Sequence, residues 1–420
     1  MQFQDKPTIA PPVTLERARE LDAADPLRTM RERFDLPDGV IYLDGNSLGA
    51  LPKATSPHLV DVIERQWGKD LITSWNSHGW IDWPQRIAAK LAPIVGAKQS
   101  ELLVADSTTV CLFKLLAAAV AARPGRPTIL TEKDNFPTDL YAAQALASFQ
   151  PQVQVRAVAA PELVDALDEE VAVLFLTHVD YRSGARHDMT ALNQAAHSVG
   201  ALTLWDLSHS AGAVELDLDR SGFDLAVGCG YKYLNGGPGA PAFLCVAKGL
   251  QASLHSPLPG WMGHSDPFAF APTFAPASDI RRFLTGTPSI LSLAALEAGL
   301  DTFAGAGVAD LETKARELSA FFVDCVEMLC GDEVTLASPR EPKLRGSHVV
   351  FAHRQGYAVM QALIARGIVG DFRPPDLMRF GFAPLYSSFE DAWRASSALF
   401  DILAKREWEQ PHFQERQRVI

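Results

Sequence analysis

Basic charge is in short supply in this chain. Its 38 Lys and Arg stand against 50 Asp and Glu, a formal net charge of −12 over 420 residues. Proteins that hold nucleic acid draw affinity from neutralised backbone phosphates, so this balance argues against DNA or RNA as a partner. Long apolar runs are missing too. No stretch approaches the roughly 20 consecutive residues that a bilayer-spanning helix needs, so no membrane partner is expected. The Pro-rich tip at 1–12 has no basic region followed by an apolar one. No secretory signal is therefore expected, and the cytoplasm is the expected compartment. Cysteine is sparse: only five, at 111, 229, 245, 325 and 330. An odd count without C-x-x-C spacing, in apolar surroundings, reads as reduced structural thiols. The histidines are scattered and form no cluster with ligand spacing, so no metal site is expected. No G-x-G-x-x-G follows the first strand, which makes a nicotinamide-binding enzyme a poor fit. Internal repeats and low-complexity segments are absent as well.

What the chain does have is the composition of a soluble globular protein, 47% hydrophobic and 21% charged. That length exceeds one simple core, and three parts are expected. They are an N-terminal arm and helix at 1–50, a large α/β part at 51–290 and a smaller α+β part at 291–420. The arm is expected to hold one charged helix over 15–34, then a short strand entering a Gly/Asn turn at 40–49. From 85 to 250, strand-like and helix-like segments alternate. Strands are predicted at 102–105, 128–131, 171–176, 202–205, 225–227 and 242–246, with helices at 110–122 and 192–199 among those between them. Because the runs are apolar throughout, the sheet is expected to be mostly parallel and covered by helices on both faces. Residues 255–289 contain five prolines and are expected to form a long functional loop with no regular element. Helices near 291–303 and 308–330 and strands near 347–352 and 377–382 follow. Trp67, Trp75, Trp80 and Trp83 crowd into one segment, which suits a docking surface, a pocket wall or a packed aromatic cluster.

The most informative pair is Asp206 and Lys232. Asp206 ends the apolar run at 201–205; Lys232 lies between Tyr231 and Tyr233, shortly after the run at 223–227. An acid and a lysine thus leave the ends of two successive strands, at the edge where open α/β sheets bind ligands. A carboxylate that keeps a pyridine nitrogen protonated and a lysine that forms a Schiff base are what pyridoxal phosphate requires of a protein. Read singly, the Asp is a helix cap and the Lys a solvated cation. Burial between two tyrosines would make the lysine a usable nucleophile.

Other motifs fit around the pair, each with an ordinary alternative. Asp106, Ser107, Thr108 and Thr109 join a strand to a helix, where free N–H groups and hydroxyls make a phosphate cradle or a plain N-cap. Phe136, Pro137, Thr138 and Asp139 follow the next strand and offer an aromatic face and a carboxylate, or a Pro-stiffened turn. His209 lies three residues beyond Asp206; with no third ligand nearby, a metal reading of the two ranks low. Arg379 is a charge inside an apolar strand: a snorkelling edge residue, or a bidentate clamp for a substrate carboxylate.

Taken together, Tyr42–Gly49, Phe136–Asp139, Trp205–Gly212, Tyr231–Gly239 and Met378–Tyr386 closely resemble kynureninases, in family order, from about residue 30 to the C-terminus. The resemblance implies fold type I of the pyridoxal-phosphate enzymes, with a seven-stranded type of sheet, and a homodimer with shared active sites. It implies pyridoxal 5'-phosphate as cofactor and hydrolysis of L-kynurenine to anthranilate and L-alanine in tryptophan degradation. By match, Lys232 carries the cofactor, Asp206 pairs with its ring nitrogen and Phe136 stacks on the ring. Thr108, Thr109 and Tyr231 hold the phosphate, with Tyr231 also a catalytic proton relay, while Asp139, Thr177 and His209 complete the shell. Trp261 and Thr287 come from the partner subunit, Arg379 binds the substrate carboxylate, and Trp75 and Gly286 border the substrate ring. The rivals are an aminotransferase of the same fold, a cysteine desulfurase and a non-catalytic binding protein. A desulfurase needs a reactive cysteine on a mobile loop, whereas Cys325 and Cys330 fall on a helical pattern. Retention of Lys232 argues against the last.

Overall fold

The computed structural model describes residues 13–417; the Pro-rich tip lies outside the described residues. Helix α1, Leu15–Ala24, is capped by Thr14, whose hydroxyl accepts from the Arg17 N–H at 3.1 Å. The single helix expected over 15–34 ends here. Pro26 disfavours helical geometry at the residue before it, and Asp25 is extended at φ −68°, ψ 117°. A separate 3-10 turn, Arg28–Arg33, follows.

Apolar runs form a seven-stranded sheet. Its strands are β1 (Leu102–Val104), β2 (Thr128–Glu132), β3 (Gln154–Val158), β4 (Val171–Thr177), β5 (Leu202–Asp206), β6 (Leu225–Cys229) and β7 (Ala242–Val246), in the order β1-β7-β6-β5-β4-β2-β3. Only β7 runs antiparallel to its neighbours. Strand β3 was not foreseen. It is an edge strand whose side chains are partly exposed, so it has no continuous apolar run to betray it. Helices α2 (Trp83–Val95), α3 (Thr108–Ala121), α4 (Pro137–Phe149) and α5 (Met189–Ser198) connect or flank these strands. Two buried cores lie on the sheet, one centred on Trp83, Trp205 and Phe243, the other on Leu115, Phe175 and Phe283.

Helix α6 (Ile290–Asp301) contributes Leu293, Leu296 and Leu300 to the first of these cores. A third core gathers α7 (Val308–Cys330), α8 (Gly356–Ala365), α9 (Phe389–Ala404) and a four-stranded antiparallel sheet. That sheet contains β8 (Thr335–Leu336), β9 (His348–Ala352), β10 (Asp371–Arg373) and β11 (Leu377–Gly381), in the order β10-β11-β9-β8. Ala18 of α1 and Leu43 also bury here. Among the described residues, no helix is long and apolar enough to cross a membrane.

The long loop has no α-helix or strand, but it is not featureless. Three 3-10 turns punctuate it: Trp261–Gly263, Pro267–Ala269 and Ile280–Phe283. Two buried cations fasten it, Arg282 from within the loop and Lys114 from outside it. Arg282 donates to Ala277 O at 3.0 Å and to Gln251 O and Leu254 O. Lys114 of α3, fully buried, donates to Phe283 O at 2.7 Å and pairs with Asp106. Periodicity does not reveal such contacts, because each joins residues far apart in sequence.

The arm is fastened by another buried pair, Lys314 Nζ to Asp25 at 2.7 Å, with side chains 6% and 4% exposed. Removing the cation strands a buried carboxylate. Lys314→Met is expected to lower unfolding free energy by about 3–5 kcal/mol in urea titration, and adding Asp25→Leu should recover most of it. A loss within error of zero would mean that the pair does not fasten the arm.

Candidate active site

The carboxyl edge of the parallel strands carries the site. Thr177, the last residue of β4, is the register partner of Asp206, the last residue of β5. Lys232 follows the neighbouring end of β6 by three residues. Around these ends lies a small cavity of about 120 Å³. It is lined by Thr108 and Thr109 from the first turn of α3, and by Phe136, Thr138 and Asp139 at the start of α4. Thr177, Asp206, His209, Tyr231 and Lys232 complete the set foreseen from sequence. Pro137 does not line the cavity; it is the first residue of α4, where its fixed φ suits the helix start. Tyr181 and Ser208 also line it and were not foreseen. Tyr181 sits in a tight turn, where Asp180 accepts from Arg182 N and Ser183 N, and its sequence looks like any surface turn. Ser208 N donates to Asp206 Oδ1 at 2.7 Å.

The groups in this cavity are mutually strained by burial. Asp139 and Asp206 are 1% and 4% exposed. Burial, and then the charge of Asp206, raise Asp139 well above the usual carboxylate range. Burial also raises Asp206, so the two neighbouring carboxyls disfavour ionising together. Thr177 Oγ1 donates to Asp139 Oδ2 at 3.0 Å. Lys232 Nζ lies 5.8 Å from the ring centroids of both Phe136 and Tyr231. His209 is held well below the usual histidine range by burial first and by the charge of Lys232 second. Its Nδ1 is buried with no hydrogen-bond partner. Burial raises the Tyr231 phenol, so it remains a proton donor through the physiological range.

A flat, anionic, ring-nitrogen cofactor suits this set. Two buried acids call for a cation between or beside them, the orphaned His209 nitrogen calls for a polar partner, and the start of α3 offers N–H groups to a phosphate. These are the needs of pyridoxal 5'-phosphate.

The remaining expected residues divide. Gly286 and Thr287 line a larger cleft of about 410 Å³ that shares Tyr231 with the first cavity. A Cβ at Gly286 would meet nothing within 4 Å, so this wall is open. Trp261 is 37% exposed and rests its ring against Phe268 at 5.8 Å. Trp75 packs edge-on to Trp80 at 5.9 Å. Neither Trp lines either space. Arg379, 1% exposed, is close enough for its charge to lower His209 further. All five cysteines are free and buried, and burial pushes Cys325 and Cys330 on α7 up to about 12. Neither is the exposed, low-pKa thiol that a desulfurase uses.

Comparison with known proteins gives the family and the fold. The sequence is 50% identical over 406 residues to the kynureninase of Pseudomonas fluorescens, covering 95% of this chain and 98% of the relative. It is 49% identical over 413 residues to the kynureninase of Burkholderia pseudomallei, covering 97% and 99%. The chain belongs to the kynureninase family. Residues 311–399 match the kynureninase C-terminal domain. Among solved structures, a cysteine desulfurase from Thermococcus onnurineus superposes with TM-score 0.76 at 18% identity, covering 90% of this chain and 98% of that one. A C-DES variant with glycine covalently linked to its PLP cofactor gives 0.77 at 16% identity, covering 88% and 98%. At such low identity the likeness shows the fold, that of the type I pyridoxal-phosphate enzymes.

The buried acid has a measurable sign. Asp139 has a raised pKa in the folded chain, so stability falls as pH rises from the unfolded value of about 3.9 to the folded one, and above the folded one the loss is complete and constant. Asparagine carries no such loss. In cofactor-free protein, the melting temperature of Asp139→Asn relative to the parent is expected to climb as pH rises above about 5 and to level off once the folded carboxyl has ionised. A difference independent of pH would mean that Asp139 is ionised throughout.

Proposed function

We propose that this chain hydrolyses the Cβ–Cγ bond of L-kynurenine, giving anthranilate and L-alanine, with the residues of the small cavity in the following roles. Lys232 is the attachment point of pyridoxal 5'-phosphate and the base that takes the proton from Cα. When bound, the cofactor supplies an electron sink for the negative charge that develops on the substrate carbons. Asp206 keeps the ring nitrogen protonated, and Asp139, hydrogen-bonded to Thr177, supports that carboxylate. Phe136 presents its ring face to the cofactor. Thr108, Thr109 and the N–H groups opening α3 take the phosphate, with the Tyr231 hydroxyl as a further donor that also reaches the substrate cleft. Arg379 receives the substrate carboxylate. The observation that carries the reading is the convergence of Asp206, Asp139 and Lys232 on one buried cavity at the carboxyl edge of the sheet.

The working unit in this reading is a homodimer in the cytoplasm. Trp67 and Leu291, 56% and 41% exposed, line one apolar groove, and Ile63, Leu71 and Ile72 are exposed in the same stretch of chain. Such a face suits burial against a second copy. Trp261 and Thr287 then complete the partner's site. The division at residues 50 and 290 into arm, large and small parts belongs to the same reading, with α6 of the small part packed into the core of the large one.

The test is direct. Purified protein loaded with pyridoxal 5'-phosphate is given L-kynurenine, and anthranilate fluorescence and alanine are followed. Equal yields of the two without any added keto acid are expected; a requirement for a keto acid would turn the assignment toward an aminotransferase. The substrate ring gives a second readout. Gly286, and Trp75 if it forms the facing wall, offer no partner to a ring hydroxyl, and burying one unpaired costs about 1–3 kcal/mol. L-kynurenine should therefore exceed its 3-hydroxy derivative in kcat/KM by about tenfold or more. Equal values would remove Gly286 and Trp75 from the pocket.

A further inference from the structure

Arg379 lines neither cavity; it is joined to the smaller one through Tyr181, and one edge of its guanidinium is already taken. Asp371 of β10 and Arg379 of β11 are register partners, so their side chains leave the same face of the small sheet. Arg379 Nε donates to Asp371 Oδ1 at 2.8 Å, and Nη2 donates to Asp371 Oδ2. Both residues are 1% exposed. Ser47 fills in between them: its hydroxyl accepts from Nη2 at 2.9 Å and donates to Asp371 Oδ2 at 3.1 Å. With its amide oxygen turned to the guanidinium, Asn46 accepts from the same edge at 2.8 and 3.0 Å. Arg373 braces the acid from the other side at 2.7 Å.

A guanidinium has five N–H donors in a rigid plane. The Nε edge is spent on Asp371, so what remains for a ligand is the Nη1 end. That end donates to the carbonyl of Tyr181 at 2.6 Å, and Tyr181 lines the cofactor cavity. We infer that Asp371 is the positioning residue of the substrate-carboxylate site, holding Arg379 by its Nε edge so that the Nη1 end is kept toward the cavity. This rests on the reading of Arg379 as the carboxylate receptor. Asp44 completes the cluster. It is 4% exposed with Oδ1 unpartnered, and burial followed by the charge of Asp371 pushes its carboxyl up to about 7. Asp371, the acid in bidentate contact with the guanidinium, is the partner that orients it.

The test separates orientation from folding. Cofactor-loaded parent, Asp371→Asn and Arg379→Lys are compared using two ligands. One is L-kynurenine; the other is the amine in which its α-carboxylate is replaced by hydrogen, used as a competitive inhibitor. In Asp371→Asn, KM for kynurenine is expected to rise about tenfold or more, with kcat and the inhibition constant of the amine each within about threefold of the parent. The cofactor absorbance spectrum without substrate should be unchanged. If both ligands weaken equally, Asp371 is a structural residue and the inference is overturned. If Arg379→Lys raises KM while Asp371→Asn does not, the inference fails and the receptor reading stands. If Arg379→Lys leaves both constants unchanged, the receptor reading itself fails. Should Asp371→Asn not fold, Asp371→Glu, which keeps the charge but moves it by one methylene, is expected to show the same split between the ligands, and equal weakening there overturns the inference.

Discussion

Asp139 and Asp206 are carboxyl groups removed from water beside the half-buried Lys232 at one edge of a parallel sheet, and the cost of burying them shapes what surrounds them. Carboxylates this deep must share a proton, accept N–H and O–H donors or face a cation. Ser208 N and Thr177 Oγ1 supply part of that need. The rest is the kind of need that a cationic ring nitrogen meets. The parallel register makes the arrangement possible, because it brings Thr177 and Asp206 to the same level and lets the turns after β5 and β6 converge.

A second buried charge system ties the small sheet to this edge. Arg379, Asp371, Ser47 and Tyr181 come from four separate segments, and each bond among them fixes one segment against another. Breaking such a system on one side costs more than it would gain anywhere else, which is a reason for the chain to hold it rigid. The long loop is treated in the same way. Its own Arg282 ties it to the carbonyls of Gln251 and Leu254 and Lys114 holds Phe283 O, while its Gly286 and Thr287 remain at the open cleft.

How much of this could be read in the sequence follows from what each contact depends on. Strands β4 to β7 declare themselves as unbroken apolar runs because both faces are covered. Edge strand β3, half exposed and carrying Gln154 and Arg156, has no such signature. The end of α1 was available from Pro26 and was passed over in favour of charge pattern. Asp206 and Lys232 are readable because strand ends converge in this kind of sheet, and Asp139 from its turn after a strand, whereas Thr177 needs the family motifs to be singled out. Asp371 was out of reach: its importance lies in a cross-strand register with Arg379, and its own neighbours give no hint of it. Tyr181 was hidden for a similar reason, in a turn of ordinary composition.

The central claim is that Lys232 is the residue to which the cofactor is joined. Borohydride reduction of cofactor-loaded protein, followed by digestion and mass mapping, tests it without reference to turnover. The account predicts one pyridoxyl adduct per chain, on the peptide containing Lys232. An adduct on another lysine, or none in protein shown to have taken up the cofactor, would contradict it.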